Sequence, residues 1–220
     1  MERSLKVAPH SPTEVEGSPQ PLRHDLVVTP PPRVPFWLRP GLWLARRLTG
    51  KDPLPARLLA WFPKGAVGAG LFEATAATGR DLDVRSGRDD GARVLAVARI
   101  VAAATSGCPF CLDMNAATWE RTGLSPAGLQ GLVAFADDVV DALDPRTRAA
   151  ARYARALSLT PVVVSPALVD ELRAAFPPAE LVVLATTIAQ VGYWSRFNQG
   201  LGVPPAGFFD TGVCALPGLR

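Results

Sequence analysis

Three points in the second half of the chain pair a helix-capping residue directly with proline: Ser125-Pro126, Asp144-Pro145 and Ser165-Pro166. A serine or aspartate at this place accepts a hydrogen bond from a free N–H of the first helical turn, and proline at the first helical position loses no hydrogen bond. The pairs predict helices over 127–136, 146–159 and 167–176. Pro177-Pro178 predicts the start of a longer helix, which should end near Gly200.

The first half of the chain is helical in pattern as well. Apolar residues over 92–105 recur at the three-and-four spacing of a helix with one face in the core. Shorter helical patterns cover 37–48 and 55–62, a run rich in small residues over 64–78 predicts a buried helix, and 81–91 is predicted to be a polar connection. The β-like triplet 162–164 is too short and isolated to predict a sheet. The predicted fold class is all-α.

The first 35 residues differ in composition from the rest. They are rich in proline, serine and charge, and Pro30-Pro31-Pro32 lies near their end. This composition predicts a disordered or extended leader over 1–35, followed by one helical domain over 36–220. The two histidines of the chain, His10 and His24, both lie in the leader and are predicted to be solvated there.

Composition and charge narrow the classes of function. The net charge is only +3, and arginines are scattered among acids without a basic stripe, so no nucleic-acid partner is expected. Three cysteines do not form a disulfide framework, and Cys214 is predicted to be an incidental thiol. The start has no apolar core of a signal peptide, and the uncharged run 181–195 is too short to span a bilayer. We therefore expect a cytoplasmic protein without a membrane partner.

Cys108-Pro109-Phe110-Cys111 is the segment most suited to chemistry. It follows a break at Ser106-Gly107 and precedes a helical pattern over 112–121, so the partial positive charge of a helix N-terminus favours a thiolate there. A redox-active dithiol is the predicted role, and the alternative is a pair of inert buried cysteines. Zinc needs four ligands, and neither a second cysteine pair nor a histidine near the domain supplies them. No metal and no organic cofactor is expected.

The segment Gly107 to Asn115 resembles the active-site segment of the carboxymuconolactone decarboxylase-like superfamily, in its alkylhydroperoxidase D-like (AhpD-like) branch, where Gly-Cys-x-x-Cys-x-x-x-His is common. A second stretch, Asn198 to Pro204, is similar to the end of the closing helix in that family. The resemblance covers Trp37 to Phe209. It implies an all-α, AhpD-like helical domain that assembles as a homo-oligomer, a trimer or a larger ring.

The resemblance also implies roles for individual residues. Cys111 would be the attacking, peroxidatic thiol, and Cys108 would resolve the intermediate into a disulfide. Asn115 stands where the family has its histidine, and Ala96 stands where it has a glutamate, so both proton-handling groups are replaced. Loss of a general acid or base costs on the order of 10² to 10⁴ in rate. Asn115 is expected to keep an orienting role, and Arg99 is expected to lie near the site.

Other side chains near the cysteine pair are candidates to take over the roles of the replaced histidine and glutamate. Asp113, Glu120 and Glu73 are the nearest acids by sequence or family geometry, and Asp113 is expected to face solvent or cap its own helix. Trp119 is predicted to lie on the helix of Cys111 and to serve packing or a subunit interface. Tyr193 is predicted to do the same, or to donate a proton if it reaches Cys111.

Together these observations predict a thiol-dependent oxidoreductase that uses the Cys108/Cys111 dithiol–disulfide couple. Its substrate would be a small peroxide or a disulfide, and an external dithiol would reduce it. Two alternatives remain at this stage. One is an oligomeric scaffold of the same fold that has lost its redox chemistry. The other is a decarboxylase-type lyase, which acts on a lactone-bearing carboxylate and does not need the cysteine pair.

Overall fold

The computed structural model describes residues 26–52, 54–83, 87–210, 214 and 216. All regular secondary structure in these ranges is helical, which confirms the predicted all-α class. The α-helices in the described ranges are α1 (Arg39–Thr49), α2 (Leu54–Leu59), α3 (Pro63–Ala74), α4 (Gly79–Asp83), α5 (Gly91–Thr105), α6 (Pro109–Ala116), α7 (Pro126–Ala134), α8 (Asp137–Asp141), α9 (Pro145–Ser158), α10 (Pro166–Ala175) and α11 (Pro178–Gly200). Short 3-10 helices cover Phe36–Leu38 and Trp119–Thr122.

Helix α5 lies at the centre of the fold and packs against α9, α11 and α6. Its residues Val94 and Ile100 are fully buried, and so are most of their neighbours on the helix. The facing side of α9 is a run of buried alanines, Ala149 to Ala151, whose small side chains let the two helices approach closely. Complete burial of a valine or isoleucine contributes about 1.5–3 kcal/mol, so this helix pair supplies much of the core energy.

The predicted capping pairs are confirmed at α7, α9 and α10. Ser125 Oγ accepts a hydrogen bond from Gly128 N at 3.1 Å, Asp144 Oδ1 accepts one from Thr147 N at 3.1 Å, and Ser165 Oγ accepts one from Leu168 N at 3.2 Å. Each helix begins at the proline itself. A cap of this kind contributes about 1 kcal/mol, which fixes where these helices begin.

Two short helices were not predicted. Helix α4 lies in the stretch that was predicted to be a polar connection, and α8 follows α7 after a short break. Asp81 stabilises α4, because its carboxylate accepts hydrogen bonds from Thr78 N at 2.6 Å and Thr78 Oγ1 at 2.8 Å. These hydrogen bonds lower the pKa of Asp81. Helices of five residues are too short to show an apolar period, so the pattern of the sequence does not reveal them.

Helix α3 was predicted to be buried, and this prediction is wrong. Only Ala69 of this helix is buried, whereas Val67 and Leu71 are exposed. Helix α1 has no buried residue, and Trp43 and Leu48 are 66% and 76% exposed. The small-residue composition of α3 is the same for a core helix and for a helix that packs only on a neighbour such as α2, which is why composition misplaced it.

The chain before α1 lies against the domain as far as it is described. Val27 N donates a hydrogen bond to Leu201 O at 3.1 Å, and Trp61 Nε1 donates one to Thr29 O at 2.8 Å. Residues 26–35 contain no helix, and Leu26 and Val28 pack on the core. This part of the predicted leader is therefore extended and held in place, and residues 1–25 lie outside the described residues.

Helix α11 is the longest helix described and closes the bundle over α5. Leu184 and Ile188 on its inner face are buried. Among the described residues, no single helix is both long and apolar enough to cross a membrane. Helices α10 and α11 meet the length and composition requirement only as a pair bent by 117°.

Candidate active site

The two cysteines lie at the turn from α5 into α6. Gly107 has a φ of +62°, a backbone conformation that glycine adopts without strain, and it reverses the chain after α5. Cys108 is the N-cap of α6, and its Sγ accepts a hydrogen bond from Cys111 N at 3.2 Å. Cys111 lies in the first turn of α6. The two sulfur atoms are 2.6 Å apart, and both residues are free thiols.

Helix α11 supplies further donors to the sulfur of Cys111. Asn198 Nδ2 donates a hydrogen bond to Cys111 Sγ at 3.6 Å. Ser195, one turn earlier, is fully buried; its hydroxyl has no partner of ordinary hydrogen-bond geometry among the described residues, but it faces both sulfurs. The hydrogen bond from Cys108 lowers the pKa of Cys111 most, and the nearby Ser195 hydroxyl and the Asn198 amide lower it further, against the opposing effect of burial.

The charge on the pair is best placed on Cys111. The N–H of Cys111 would favour a thiolate on Cys108, but the hydrogen bond that Cys108 donates to Cys111 and its burial raise the pKa of Cys108. Cys111 receives hydrogen bonds from Cys108 and Asn198 together with the effect of the Ser195 hydroxyl. A hydrogen bond to a charged acceptor is stronger than one to a neutral acceptor, so the sulfur with more donors holds the charge. Of the two sulfurs, Cys111 is therefore the one with the lowered pKa and Cys108 the one with the raised pKa.

A pocket of about 420 Å³ leads to Cys111. Cys111 lines it, whereas Cys108 is not among the lining residues, so a small molecule would meet Cys111 first. Its other walls come from helices α3, α5, α6 and α11 and from the 3-10 helix after α6. The polar lining residues used below are Glu73, Arg99, Asn115, Arg121 and Gln190.

The residues at the two replaced family positions, Asn115 and Ala96, both line this pocket, and so does Arg99, as predicted. The Asn115 amide does not make the sulfur contact, because its Nδ2 donates to the main-chain oxygen of Cys111 at 2.7 Å. The amide that contacts the sulfur belongs to Asn198. That residue stands in the C-terminal segment quoted above, so the resemblance pointed to the segment without assigning this contact.

Glu73, at the end of α3, provides the carboxylate in the lining of this pocket. Its Oε1 accepts hydrogen bonds from Gln190 Nε2 at 2.9 Å and from Trp194 Nε1. Its Oε2 accepts no hydrogen bond from any residue that the structure describes. Glu73 was one of three acids considered as a substitute for the family glutamate, and it is the one whose helix brings it to the pocket of Cys111.

The other side chains considered earlier lie elsewhere. Asp113 was expected to face solvent or to cap its helix, and this is wrong: it is 2% exposed and accepts hydrogen bonds from two main-chain N–H groups at the C-terminal end of the domain, those of Ala206 and Phe209, each at 2.8 Å. Glu120 is exposed and outside the pocket lining. Trp119 packs on the core from the 3-10 helix after α6, so it does not share the helix of Cys111.

Tyr193 is 43% exposed and does not line the pocket; the aromatic side chain that does is its neighbour Trp194. Cys214 is partly buried against the core. The described ranges contain no group of three or more histidine, cysteine, aspartate or glutamate side chains placed to hold a metal ion. The polar groups of the site are therefore the dithiol, its donors on α11 and the charged side chains of the pocket.

No family model matches the chain, but a comparison with individual proteins finds a relative that shows its family. The uncharacterized protein YnjA of Escherichia coli is 33% identical over 190 residues, which are 86% of this chain and 96% of YnjA.

Solved structures match the fold at 19% identity. The apo debrominase Bmp8 has a TM-score of 0.63 over 84% of this chain and 94% of its own. A cysteine-to-alanine variant of Bmp8 in complex with 2,3,4-tribromopyrrole has a TM-score of 0.61 over 80% of this chain and 90% of its own. ATU0492 of Agrobacterium tumefaciens, a protein of unknown function suggested to be the antioxidant defence protein AhpD, has a TM-score of 0.52 over 65% of this chain and 91% of its own. The chain thus belongs to the same family as YnjA, and it shares its helical fold with Bmp8 and ATU0492.

Proposed function

We propose that the protein is a thiol-dependent oxidoreductase that reduces a small peroxide or disulfide with the Cys108/Cys111 couple. The observation that carries the proposal is the unequal access to the two sulfurs: Cys111 lines the pocket, whereas Cys108, whose sulfur lies 2.6 Å from that of Cys111, does not. A substrate would meet the stabilised thiolate first. The second thiol would then be in place to close a disulfide.

The chemistry balances with a peroxide as oxidant. The thiolate of Cys111 attacks one peroxide oxygen, an S–O bond forms, the O–O bond breaks, and the leaving alkoxide takes a proton to become an alcohol. Cys108 then attacks the sulfenic sulfur of Cys111, an S–S bond forms, and water leaves with the proton of the Cys108 thiol. An external dithiol returns two electrons and two protons, which restores both thiols.

Glu73 is the residue we assign to proton transfer in this proposal. The leaving oxygen needs a proton, and neither Asn115 nor Asn198 has an amide that gives up a proton at neutral pH. Glu73 lines the same pocket as Cys111, and its Oε2 has no hydrogen-bond donor in the described structure. A carboxyl group that is held by Gln190 and Trp194 on one oxygen is free to exchange a proton through the other.

The test is peroxide consumption in the presence of dithiothreitol. We expect Cys111→Ser to abolish turnover, because it removes the attacking sulfur. Cys108→Ser should still be oxidised once, to a Cys111 sulfenic acid that dimedone traps. Cys214→Ser is the matched control and should retain the wild-type rate, since Cys214 lies outside the pocket.

Equal rates for wild type, Cys111→Ser and Cys108→Ser would contradict the proposal. That result would favour the scaffold without redox chemistry. If neither wild type nor the cysteine variants consumed peroxide, but all of them decarboxylated a lactone-bearing carboxylate at the same rate, the lyase alternative would be favoured instead.

Reductive debromination of a small aromatic ring is a second candidate function. Bmp8, a debrominase, matches a larger share of this chain than ATU0492 does. The pocket is also lined by apolar side chains that suit a flat ring, those of Leu95, Met114, Val191 and Trp194. One aryl bromide and the dithiol would give the arene, bromide, a proton and the disulfide. Bromide release from 2,3,4-tribromopyrrole with dithiothreitol tests this, and no release above that of Cys111→Ser excludes it.

We also propose that the active form is a homo-oligomer. The support is the concentration of exposed large apolar side chains in the N-terminal helices and the segments beside them: Phe36, Trp37, Trp43, Leu44, Leu48, Trp61, Phe62, Val67 and Leu71. Exposed apolar area of this extent is typical of a surface that a second copy covers. Light scattering should give a mass above 23.3 kDa. A monomer at micromolar concentration would contradict this proposal.

A further inference from the structure

We propose that the substrate of the Cys111 site carries a negatively charged group, a carboxylate, which Arg99 and Arg121 bind. This rests on the proposed thiol chemistry at Cys111. Both arginines line the pocket that ends at this cysteine. Arg99 comes from the central helix α5, and Arg121 comes from the 3-10 helix that follows α6. The two guanidinium groups therefore reach the pocket of Cys111 from two separate elements.

Neither arginine has an anionic partner within the described part of the protein. Arg99 donates one hydrogen bond, from Nη2 to Ala77 O at 2.6 Å, and forms no ion pair. Arg121 forms neither a side-chain hydrogen bond nor an ion pair with any residue described. By contrast, Arg146 is paired with Glu180 at 3.0 Å and Arg152 with Glu171 at 2.8 Å. Arg99 and Arg121 are therefore left with unused hydrogen-bond donors.

The two positive charges also repel each other. Arg99 is half-buried, and desolvation together with the charge of Arg121 lowers its pKa, while the charge of Glu73 raises it. Two cations face one carboxylate, and Oε1 of that carboxylate is already used by Gln190 and Trp194. An anion bound between the guanidinium groups would relieve the repulsion and use their planar, paired donors, which match the geometry of a carboxylate.

Neutral groups stabilise a thiolate at Cys111. The hydrogen bond from Cys108 lowers the pKa of Cys111 most, and the Ser195 hydroxyl and Asn198 lower it further, against the effect of burial. The guanidinium groups of Arg99 and Arg121 are therefore available to a part of the substrate that does not react. A volume of about 420 Å³ admits a small molecule, so the predicted substrate class is a small organic acid rather than a long lipid chain.

Alkylation with iodoacetate and iodoacetamide tests the proposed carboxylate site without any assumption about turnover. They have the same reactive carbon and nearly the same size, but only iodoacetate is charged. We expect the ratio of the iodoacetate rate to the iodoacetamide rate at Cys111 to exceed the ratio at Cys214 by about tenfold, the factor of one charge-assisted hydrogen bond. Mass spectrometry separates the two sites, so Cys214 serves as a reference inside the same protein.

The variants identify the residues responsible. In Arg121→Gln and Arg99→Gln the ratio of the iodoacetate rate to the iodoacetamide rate at Cys111 should fall towards the ratio at Cys214. Arg121→Lys should keep part of the preference, and Arg196→Gln, which removes an exposed arginine outside this pocket, should keep all of it. Added salt should reduce the preference in wild type. Because Arg121 is exposed, its substitution tests the idea even if Arg99→Gln does not fold.

Equal ratios at Cys111 and Cys214 in wild type would overturn the proposal, as would a preference that survives both arginine substitutions. Failure of Cys111 to react with either reagent would also overturn it, because the pocket would not lead to the sulfur. A wild-type preference that both substitutions remove supports the anion site even in a protein without peroxide or disulfide reduction. Failure of the proposed thiol chemistry is therefore distinguishable from failure of the proposed anion site.

Discussion

Replacing Asn198 by leucine should raise the pKa of the Cys111 thiol by about one unit. Leucine has the same branching and the same number of side-chain heavy atoms as asparagine but no amide to donate to the sulfur. A hydrogen bond to a charged group contributes about 1.5–3 kcal/mol, and one pKa unit corresponds to about 1.4 kcal/mol. The 3.6 Å bond from Asn198 Nδ2 to Cys111 Sγ is one of several donors to this sulfur, which places its contribution at the lower end of that range.

The pKa of Cys111 should rise in this variant because the Asn198 amide stabilises the thiolate form and not the thiol form. Asn198 donates to the thiolate, so it lowers the pKa of Cys111, and its removal lets the thiol keep its proton up to a higher pH. Below both midpoints the thiolate fraction should fall by about tenfold. In the pH range above both midpoints the two proteins should react alike.

The assay is the rate of iodoacetamide alkylation at Cys111 as a function of pH. Its midpoint in wild type should lie below that of Cys214, whose pKa is raised by burial. Asn115→Leu is the matched control: its amide donates to the main-chain oxygen of Cys111, so its loss should leave the midpoint in place. A midpoint that moves in Asn115→Leu and stays fixed in Asn198→Leu would refute the assignment of the sulfur contact.

Three further outcomes are expected. Glu73→Gln should lower peroxide turnover by about a hundredfold and leave the alkylation midpoint of Cys111 unchanged, and a wild-type turnover rate would exclude Glu73 as the proton donor. Asp113→Ala should lower the free energy of unfolding in urea by about 3 kcal/mol, since two main-chain N–H groups lose a buried charged acceptor, and a loss below about 1 kcal/mol would show that water replaces it. Arg146→Met should cost about 3–5 kcal/mol by leaving Glu180 charged and unpaired, and adding Glu180→Leu should recover most of that loss in the same unfolding assay.

The features predicted correctly from sequence depend on neighbours in the chain. The cap of α9 needs only Asp144, the proline after it and the N–H of Thr147, all within one turn. The turn at Gly107 and the position of Cys108 as a helix N-cap are equally local. Such features are set by backbone geometry that a few consecutive residues determine, so the helical class and the start of α6 could be predicted.

The features that were missed depend on distant parts of the chain. The contact of Asn198 with Cys111 joins residues 87 positions apart, and the two hydrogen bonds of Asp113 span 93 and 96 positions. A charged residue on a short helix is usually solvated, and only the folded C-terminal segment turns Asp113 into a buried acceptor. Helix α3 shows the converse: its composition is that of a core helix, but Ala69 is its one buried residue in the described structure.

Under the proposed function, two separate elements of the site perform two tasks: one stabilises the thiolate, and the other delivers a proton. Stabilising a thiolate requires donors at the sulfur, and neutral groups suffice for it; Asn198 on α11 is such a donor, and it cannot deliver a proton. Delivering a proton requires an ionisable group, and Glu73 at the end of α3 brings one to the pocket. Under the proposed function, a change at Asn198 should alter the thiol pKa, whereas a change at Glu73 should alter turnover alone. A single residue that performed both tasks would couple these two measurements, so their independence is the signature of this arrangement.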